Sequence, residues 1–279
     1  MGKYVHHFLP LHPPLSSALA KQVGCLIKIP AKDKDGVVFS ISLLGRPHSI
    51  DVIALTFTQG ALPADASSCI AHVGNHMISC LRVCYDPAID VVRIGDDGFL
   101  NAAMESDDEV PVYPLGVTVE YNNSYRSNVD NIANVFRNTA RKKYRQIISL
   151  LAEAQTPQIP THYKILSLIR ALELLLPNEA ERSKFLSNYQ DEFEKTKVSN
   201  KQFKNALPEL RTRCAHGESR GGADPFVSPA YEETKGLSLL LCLLRGIVAN
   251  LSREKYGLDV RIGMPPTGNE VICTNTLNQ

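Results

Sequence analysis

The sequence lacks the short motifs that mark several large enzyme classes. Its 279 residues contain no G-x-x-x-x-G-K-[S/T] phosphate-binding loop, no G-x-G-x-x-G and no H-E-x-x-H. P-loop nucleotide hydrolysis, dinucleotide-dependent oxidation and zincin-type proteolysis each need one of these arrangements of backbone amides or metal ligands. Those classes therefore lose most of their support, and we predict no cofactor.

Long apolar runs are missing as well. The longest, from Leu237 to Leu244, is followed by Arg245, and it is far shorter than the ~20 residues that a transmembrane helix needs. The N-terminus carries three prolines and several histidines among its apolar residues, so it has no signal-peptide core. We predict no membrane segment.

Cysteine usage gives no sign of a disulfide framework. The seven cysteines are an odd number, they are scattered, and no C-x-x-C pair occurs. A chain of this length does not depend on disulfides for its stability. We predict reduced thiols and a cytoplasmic location.

Net charge is only +1, but the charges are unevenly distributed. Residues 1–120 hold 8 Lys and Arg against 13 Asp and Glu, whereas residues 121–216 hold 16 against 9. A basic segment of this kind fits an anionic partner such as RNA. Chance surface composition is the alternative.

Residues 36–121 have mainly a two-residue periodicity, which indicates strands. Within them, 65–81 repeats its apolar residues at helical spacing instead. The sequence predicts one helix there, an acidic loop at 105–109, and strands at 37–43, 50–58, 81–85, 91–94 and 112–121.

The predicted helix at 65–81 carries a group of candidate metal ligands. His72, His76 and Cys80 follow one another at one-turn steps, so two neighbours could hold one ion. Eight residues of helix span about 12 Å, and the whole group therefore cannot converge on one ion. A partly buried helix flank is our preferred interpretation, a metal-binding sensor is the alternative, and we assign no metal ligand.

From residue 122 onwards the periodicity becomes helical. We predict one helix over 129–151, a central helix over 163–176 that is apolar nearly all round, a charged helix over 179–197 and a closing helix over 237–251. Glu173 is unusual on the central helix, and a carboxylate there must be paired or face a cleft. The polar side of the first helix carries cations that can follow phosphates or form a solvated face: Arg137, Arg141, Lys142, Lys143 and Arg145.

The segment 199–224 combines an arginine, a cysteine and a histidine in one short helix. Pro208 suits a first turn and Gly217 a position just past the end. Arg211 and His216 are separated by about 7.5 Å of rise and roughly 140° of rotation. They converge only if the histidine lies on a loosened last turn. A surface ion pair for the arginine and a helix-capping role for the histidine are the alternative.

Arg211-Thr-Arg-Cys-Ala-His216 resembles the R-x4-H signature of the HEPN superfamily, helical domains of which many are metal-independent ribonucleases. The resemblance covers roughly residues 127–253. It implies that Arg211 and His216 are catalytic and that two copies bring two motifs to one cleft. Thr212 and Glu173 are candidate supporting residues, although nuclease members usually carry Asn, Asp or His where this chain has Thr212.

The sequence therefore predicts an α+β protein. It has a mostly β N-terminal domain (1–121), a HEPN-like helical bundle (122–256) and a C-terminal tail (257–279). The predicted function is a metal-independent endoribonuclease, a defence or toxin effector that is active as a homodimer through the helical domain. The N-terminal domain would bind a regulatory partner. The alternative is a non-catalytic HEPN-like module for binding or dimerisation. The predicted RNA-binding residues are Arg137, Arg141, Lys142, Arg145 and Arg213.

Overall fold

A computed structural model describes residues 4–12, 24–32, 38–46, 49–60, 66–91, 102–107, 123–216, 218–219, 222–223 and 231–258. The protein is α+β, with an antiparallel sheet in its N-terminal part and helices in its C-terminal part. It divides into two compact units, Met1–Arg137 and Asn138–Gln279. The predicted fold class is confirmed.

The N-terminal unit contains a six-stranded antiparallel sheet in the order β2-β3-β4-β1-β5, with β6 also paired to β1. Alternate residues of the inner strands form one apolar face, on which Leu9, Ile53 and Leu43 lie side by side with no exposed surface. The strands are β1 (Tyr4–His12), β2 (Gly24–Lys32), β3 (Val38–Arg46), β4 (Ser49–Thr58), β5 (Asp90–Val91) and β6 (Ala102–Ser106).

Helix α1 (Ala66–Cys84) packs directly on this sheet. A Cβ at Gly74 would lie 2.7 Å from Leu9 Cδ1, so the helix backbone approaches β1 closely. The predicted helix is confirmed and continues through 81–84, so the strand predicted at 81–85 is wrong. Leu81, Val83 and Cys84 in this last turn are all buried.

Two predicted strands are confirmed, as β3 and β4. Of the strand predicted at 91–94, Val91 belongs to the short β5, and residues 92–94 lie outside the described residues. The strand predicted at 112–121 lies outside them entirely. Glu105 belongs to β6 rather than to the predicted loop. Strands β1 and β2 were not predicted; Pro10 and Pro30 obscure their alternation, and Pro30 is tolerated because β2 is an edge strand.

The helix predicted over 129–151 is two helices, α2 (Asn123–Asn138) and α3 (Lys142–Gln155). Arg141 between them has extended backbone. The Phe136 ring of α2 lies 4.9 Å from the His76 ring of α1, whereas α3 packs on a helix of the second unit. The apolar stripe is continuous in sequence, but its halves are buried in different units. For this reason the units divide at 137/138, whereas the change of periodicity suggested 121/122.

The second unit is built around α4 (Thr161–Leu175), the predicted central helix, against which α3, α7 and α8 pack. The charged segment forms two short helices, α5 (Glu179–Ser187) and α6 (Gln190–Thr196), rather than one. Asn178 begins α5 by accepting hydrogen bonds from the backbone N–H groups of Ala180 and Glu181. Helices α7 (Phe203–His216) and α8 (Tyr231–Tyr256) complete the unit.

Helix α8 is long and apolar enough, from Lys235 to Tyr256, to cross a membrane by length and composition. Just over half of its most apolar window is buried within the fold. Near its middle, Arg245 Nη2 donates a hydrogen bond of 2.8 Å to the Ala154 carbonyl, in the last turn of α3. A core helix of a bundle has this composition and this kind of polar contact.

Gly236→Ala should lower the free energy of unfolding by about 1–3 kcal/mol. A Cβ at Gly236 would lie 2.6 Å from the Thr196 carbonyl oxygen, a backbone atom, so α8 would have to move away from α6. Gly246→Ala in the same helix is the matched control, because no atom of the described residues, apart from the helix's own backbone, lies within 4 Å of its Cβ position. We expect its free energy of unfolding to rise by up to about 1 kcal/mol. Urea unfolding followed by circular dichroism measures both; equal effects would contradict the close contact.

Candidate active site

Helix α7 carries the R-x4-H segment and is anchored at its start. Phe203 is fully buried, and its ring stacks on that of Phe193 with centroids 4.3 Å apart and planes within 5°. The Phe203 N–H donates to Gln190 Oε1 at 2.8 Å. Buried residues then recur along one side of the helix: Ala206, Leu207, Leu210 and Cys214. Arg211 and Thr212 consequently lie on the exposed side.

Pro208 is inside α7, not in its first turn as predicted. The helix begins at Phe203 because Phe203, Ala206 and Leu207 all bury apolar side chains, and this burial outweighs the hydrogen bond that proline cannot donate. Pro208 is exposed. Its own carbonyl accepts a hydrogen bond of 3.1 Å from the Thr212 hydroxyl.

Arg211 forms an ion pair with Glu173 of α4, with 3.0 Å between Nη1 and Oε1. This contact joins residues that are 38 positions apart in the sequence. It explains the carboxylate on the central helix, which was expected to be paired or to face a cleft. The two side chains keep 51% and 28% of their surface exposed, and such a pair contributes at most about 1 kcal/mol. The guanidinium can therefore exchange the carboxylate for another anion at little cost.

His216 is the last residue of α7, as the sequence predicted, and its side chain lies outside the described part of the chain. Thr212 donates its hydroxyl proton to the Pro208 carbonyl, within its own helix. Cys214 is buried, in agreement with a packing role. Of the four predicted site residues, the structure brings Arg211 and Glu173 into contact.

The predicted row of cations does not lie on one helix. Arg137 is in the last turn of α2 in the first unit, whereas Arg141 immediately precedes α3 and Lys142 begins it in the second. Arg145 donates through Nε to the Ala140 carbonyl at 2.7 Å, and the first turn of α3 contains no acidic residue. The N-terminal end of a helix carries a partial positive charge, and here it is surrounded by cations instead of by the carboxylates that would neutralise it. This end of α3 is therefore a favourable place for an anion. Arg213 is half-buried on α7.

The His72, His76 and Cys80 group separates into an exposed and a buried part. His76 is buried with Nε2 4.0 Å from Cys80 Sγ, whereas His72 is exposed. Within the described residues, no group of three His, Cys, Asp or Glu side chains is placed to hold a metal ion. The arrangement resembles the flank of a packed helix.

The sequence also contains one G-x-S-x-G string, at 217–221, centred on Ser219. In α/β-hydrolases such a serine occupies a sharp turn from a strand into a helix. Here Ser219 ends the two-residue strand β7 (Glu218–Ser219), which follows α7 and pairs with β8 (Gly222–Ala223). The order is helix and then hairpin, so this string does not form a nucleophile elbow.

The geometry thus defines an antiparallel sheet unit and a helical unit, with an exposed arginine-carboxylate pair beside the end of α7. Comparisons with protein-family models, curated proteins and solved structures found no match to this chain. The function of the site is therefore inferred from the chemistry and geometry of its own residues.

Proposed function

We propose that the protein is a metal-independent endoribonuclease of the HEPN type, located in the cytoplasm. The observation that carries the proposal is the position of Arg211, exposed on α7, ion-paired with Glu173 and one and a half turns before His216. This arrangement combines a permanent cation that can bind a phosphate with an imidazole whose ordinary pKa is near neutrality.

RNA can be cleaved without a metal by its own 2′-hydroxyl. The 2′-oxygen attacks the adjacent phosphorus, the bond from phosphorus to the 5′-oxygen breaks, and the products are a 2′,3′-cyclic phosphate and a 5′-hydroxyl. His216 would accept the 2′-hydroxyl proton as general base, and a second imidazole would protonate the leaving 5′-oxygen. Arg211 would stabilise the negative charge that develops on the phosphoryl oxygens.

A homodimer supplies the second imidazole, because one chain has a single motif. Two copies facing each other through their helical units would place two arginines and two histidines in one cleft. The exposed cations Arg137 and Arg141, together with Lys142, Arg145 and Arg213, would bind RNA phosphates beyond the cleavage point. In this proposal the N-terminal unit binds a regulatory partner that restrains a defence or toxin nuclease.

Glu173 would compete with the phosphate for Arg211. In the free protein the carboxylate accepts a hydrogen bond of 3.0 Å from Arg211 Nη1. On RNA binding, the guanidinium would transfer to the phosphate, whose oxygens accept two parallel hydrogen bonds from its donor fork. Glu173 therefore positions Arg211 before substrate arrives and does not itself touch the reacting atoms.

A non-catalytic HEPN-like module for binding or dimerisation is the second candidate. Thr212 favours it, because its hydroxyl donates to the helix backbone at Pro208 and it stands where nuclease members usually have Asn, Asp or His. Such a module would bind RNA or a second copy of the chain without cleaving anything.

The test is to incubate the purified full-length protein with total RNA in excess EDTA. We expect cleavage products whose 5′ ends accept phosphate from polynucleotide kinase directly and whose 3′ ends can be extended only after removal of the cyclic phosphate. Cleavage that requires added Mg²⁺ would contradict a metal-independent mechanism. Absence of cleavage at micromolar protein, with RNA still bound, would favour the non-catalytic module.

A further inference from the structure

Arg170 is an exposed cation on α4, one turn before Glu173. In the preceding turn on this side of the helix, Leu166 and Ser167 are buried, so the exposed part of this face begins at Arg170. No hydrogen bond or ion pair joins the Arg170 side chain to another described residue. Its guanidinium therefore has unused donors one turn from the carboxylate that holds Arg211.

The spacing of Arg170 and Glu173 allows them to pair. Residues three apart on a helix are neighbours, with about 5–6 Å between their Cβ atoms, so a change of rotamer is enough to bring the two side chains together. The order of the charges explains why the free protein does not use this pair. A helical ion pair is stronger when the acid precedes the base, whereas here the base precedes the acid. Arg211 of α7 holds the carboxylate instead, with 3.0 Å between Nη1 and Oε1.

We propose that Arg170 is a positioning residue that takes over the Glu173 carboxylate when Arg211 binds a substrate phosphate. The inference rests on the proposed function and adds how the site releases Arg211. Glu173 is 28% exposed, so after the loss of Arg211 its carboxylate would be unpaired and only partly hydrated beside a phosphate group. Like charges at such short distance repel each other. Pairing with Arg170 offsets this repulsion without any movement of the backbone.

A direct contact with an RNA phosphate is the other role open to an exposed arginine. The two roles of Arg170 differ in their dependence on Glu173. A phosphate contact contributes to binding with any residue at position 173, whereas a carboxylate acceptor contributes only while that residue is charged. The energetic coupling between positions 170 and 173 therefore separates the two roles.

The first test needs no RNA. Arg211→Ala deprives Glu173 of its partner, and a crystal structure of this variant should show the Arg170 guanidinium within hydrogen-bond distance of the Glu173 carboxylate, about 3 Å. In wild type without ligand the two side chains should remain apart. If Arg170 still makes no contact with Glu173 in Arg211→Ala, the exchange is overturned, whether or not the protein cleaves RNA.

The second test is a double-mutant cycle on the binding of a short fluorescent single-stranded 2′-O-methyl oligonucleotide. This probe lacks the attacking hydroxyl, so it reports binding without cleavage. Arg170→Ala should weaken binding about twofold in the wild-type background, the size expected for one helical ion pair, and this loss should disappear in the Glu173→Gln background. Arg170→Lys keeps a cation within reach of the carboxylate and should bind like wild type. Lys204→Ala removes an exposed cation from α7, and as the matched control it should have the same effect in both backgrounds.

The outcomes distinguish this inference from the proposed nuclease activity. An equal loss of affinity for Arg170→Ala in both backgrounds would overturn the exchange and assign Arg170 to a phosphate, and cleavage by wild type would leave the nuclease in place. A wild-type protein that neither binds nor cleaves RNA would remove the proposed function and the exchange with it, even if Arg170 pairs with Glu173 in Arg211→Ala. Circular dichroism establishes that each variant is folded.

Discussion

Arg211→Ala should reduce RNA cleavage by about 100-fold or more, which is the usual loss when one group that stabilises transition-state charge is removed. His216→Ala should cause a loss of similar or larger size, because general acid and base catalysis typically contributes about 100- to 10,000-fold. Arg211 is half exposed and its ion pair is weak. The free energy of unfolding of Arg211→Ala should therefore change by less than about 1 kcal/mol.

Two companion variants make this result specific to Arg211. Lys204→Ala removes another exposed cation from α7 and should cleave RNA like wild type. Glu173→Gln keeps the shape of the side chain but removes its charge, so it should retain cleavage and bind oligonucleotide up to about fivefold more tightly. Single-turnover cleavage assays in EDTA measure the cleavage rates of all four variants, at Arg211, His216, Lys204 and Glu173. Equal cleavage by wild type and Arg211→Ala would overturn the proposed site.

Phe203→Ala should lower the free energy of unfolding by about 3–5 kcal/mol, the range typical for truncation of a buried phenylalanine. Phe203 has no exposed surface and stacks on Phe193, which is buried equally well. Its backbone N–H is also held by Gln190. The substitution would leave a cavity between α6 and α7.

Phe203→Leu is the matched variant and should cost about half as much or less, because most of the buried volume is retained. Urea unfolding of the full chain measures both, with the slope compared to confirm that the same transition is observed. We expect Phe203→Ala to lose cleavage activity at lower temperature than wild type, since α7 carries Arg211. A midpoint equal to that of wild type would contradict the assigned packing.

Glu173 shows how much of the site could be predicted from the sequence. A carboxylate on a helix that is apolar nearly all round must have a partner or a cleft, and this could be predicted from the sequence alone. The identity of the partner could not, because Arg211 lies 38 residues away and no local pattern relates the two. Likewise Tyr163 was counted with the apolar residues of the central helix, and only the structure shows that its ring is exposed.

The R-x4-H segment was predicted to be helical, and α7 confirms it. The role of Pro208 was predicted wrongly, because proline statistics favour a first turn whereas the burial of Phe203 and its neighbours extends the helix backwards. A local preference was outweighed by apolar contacts with α6. No sequence pattern reports such contacts.

The sequence by itself determined the α+β class, strands β3 and β4, and helices α1 and α4. It also determined the candidate catalytic residues, Arg211 and His216, in the last part of α7. These follow from periodicities of two and 3.6 residues, which each segment carries within itself. Tertiary structure alone decided that β1 lies between β4 and the short strands β5 and β6, and that the stripe over 129–151 is divided between two units. It also decided that Glu173 meets Arg211. The physical reason is that strand order, the division into units and the ion pair all depend on which surfaces, distant in sequence, pack together and exclude water. The periodicity of one segment carries no information about the segment on which it packs.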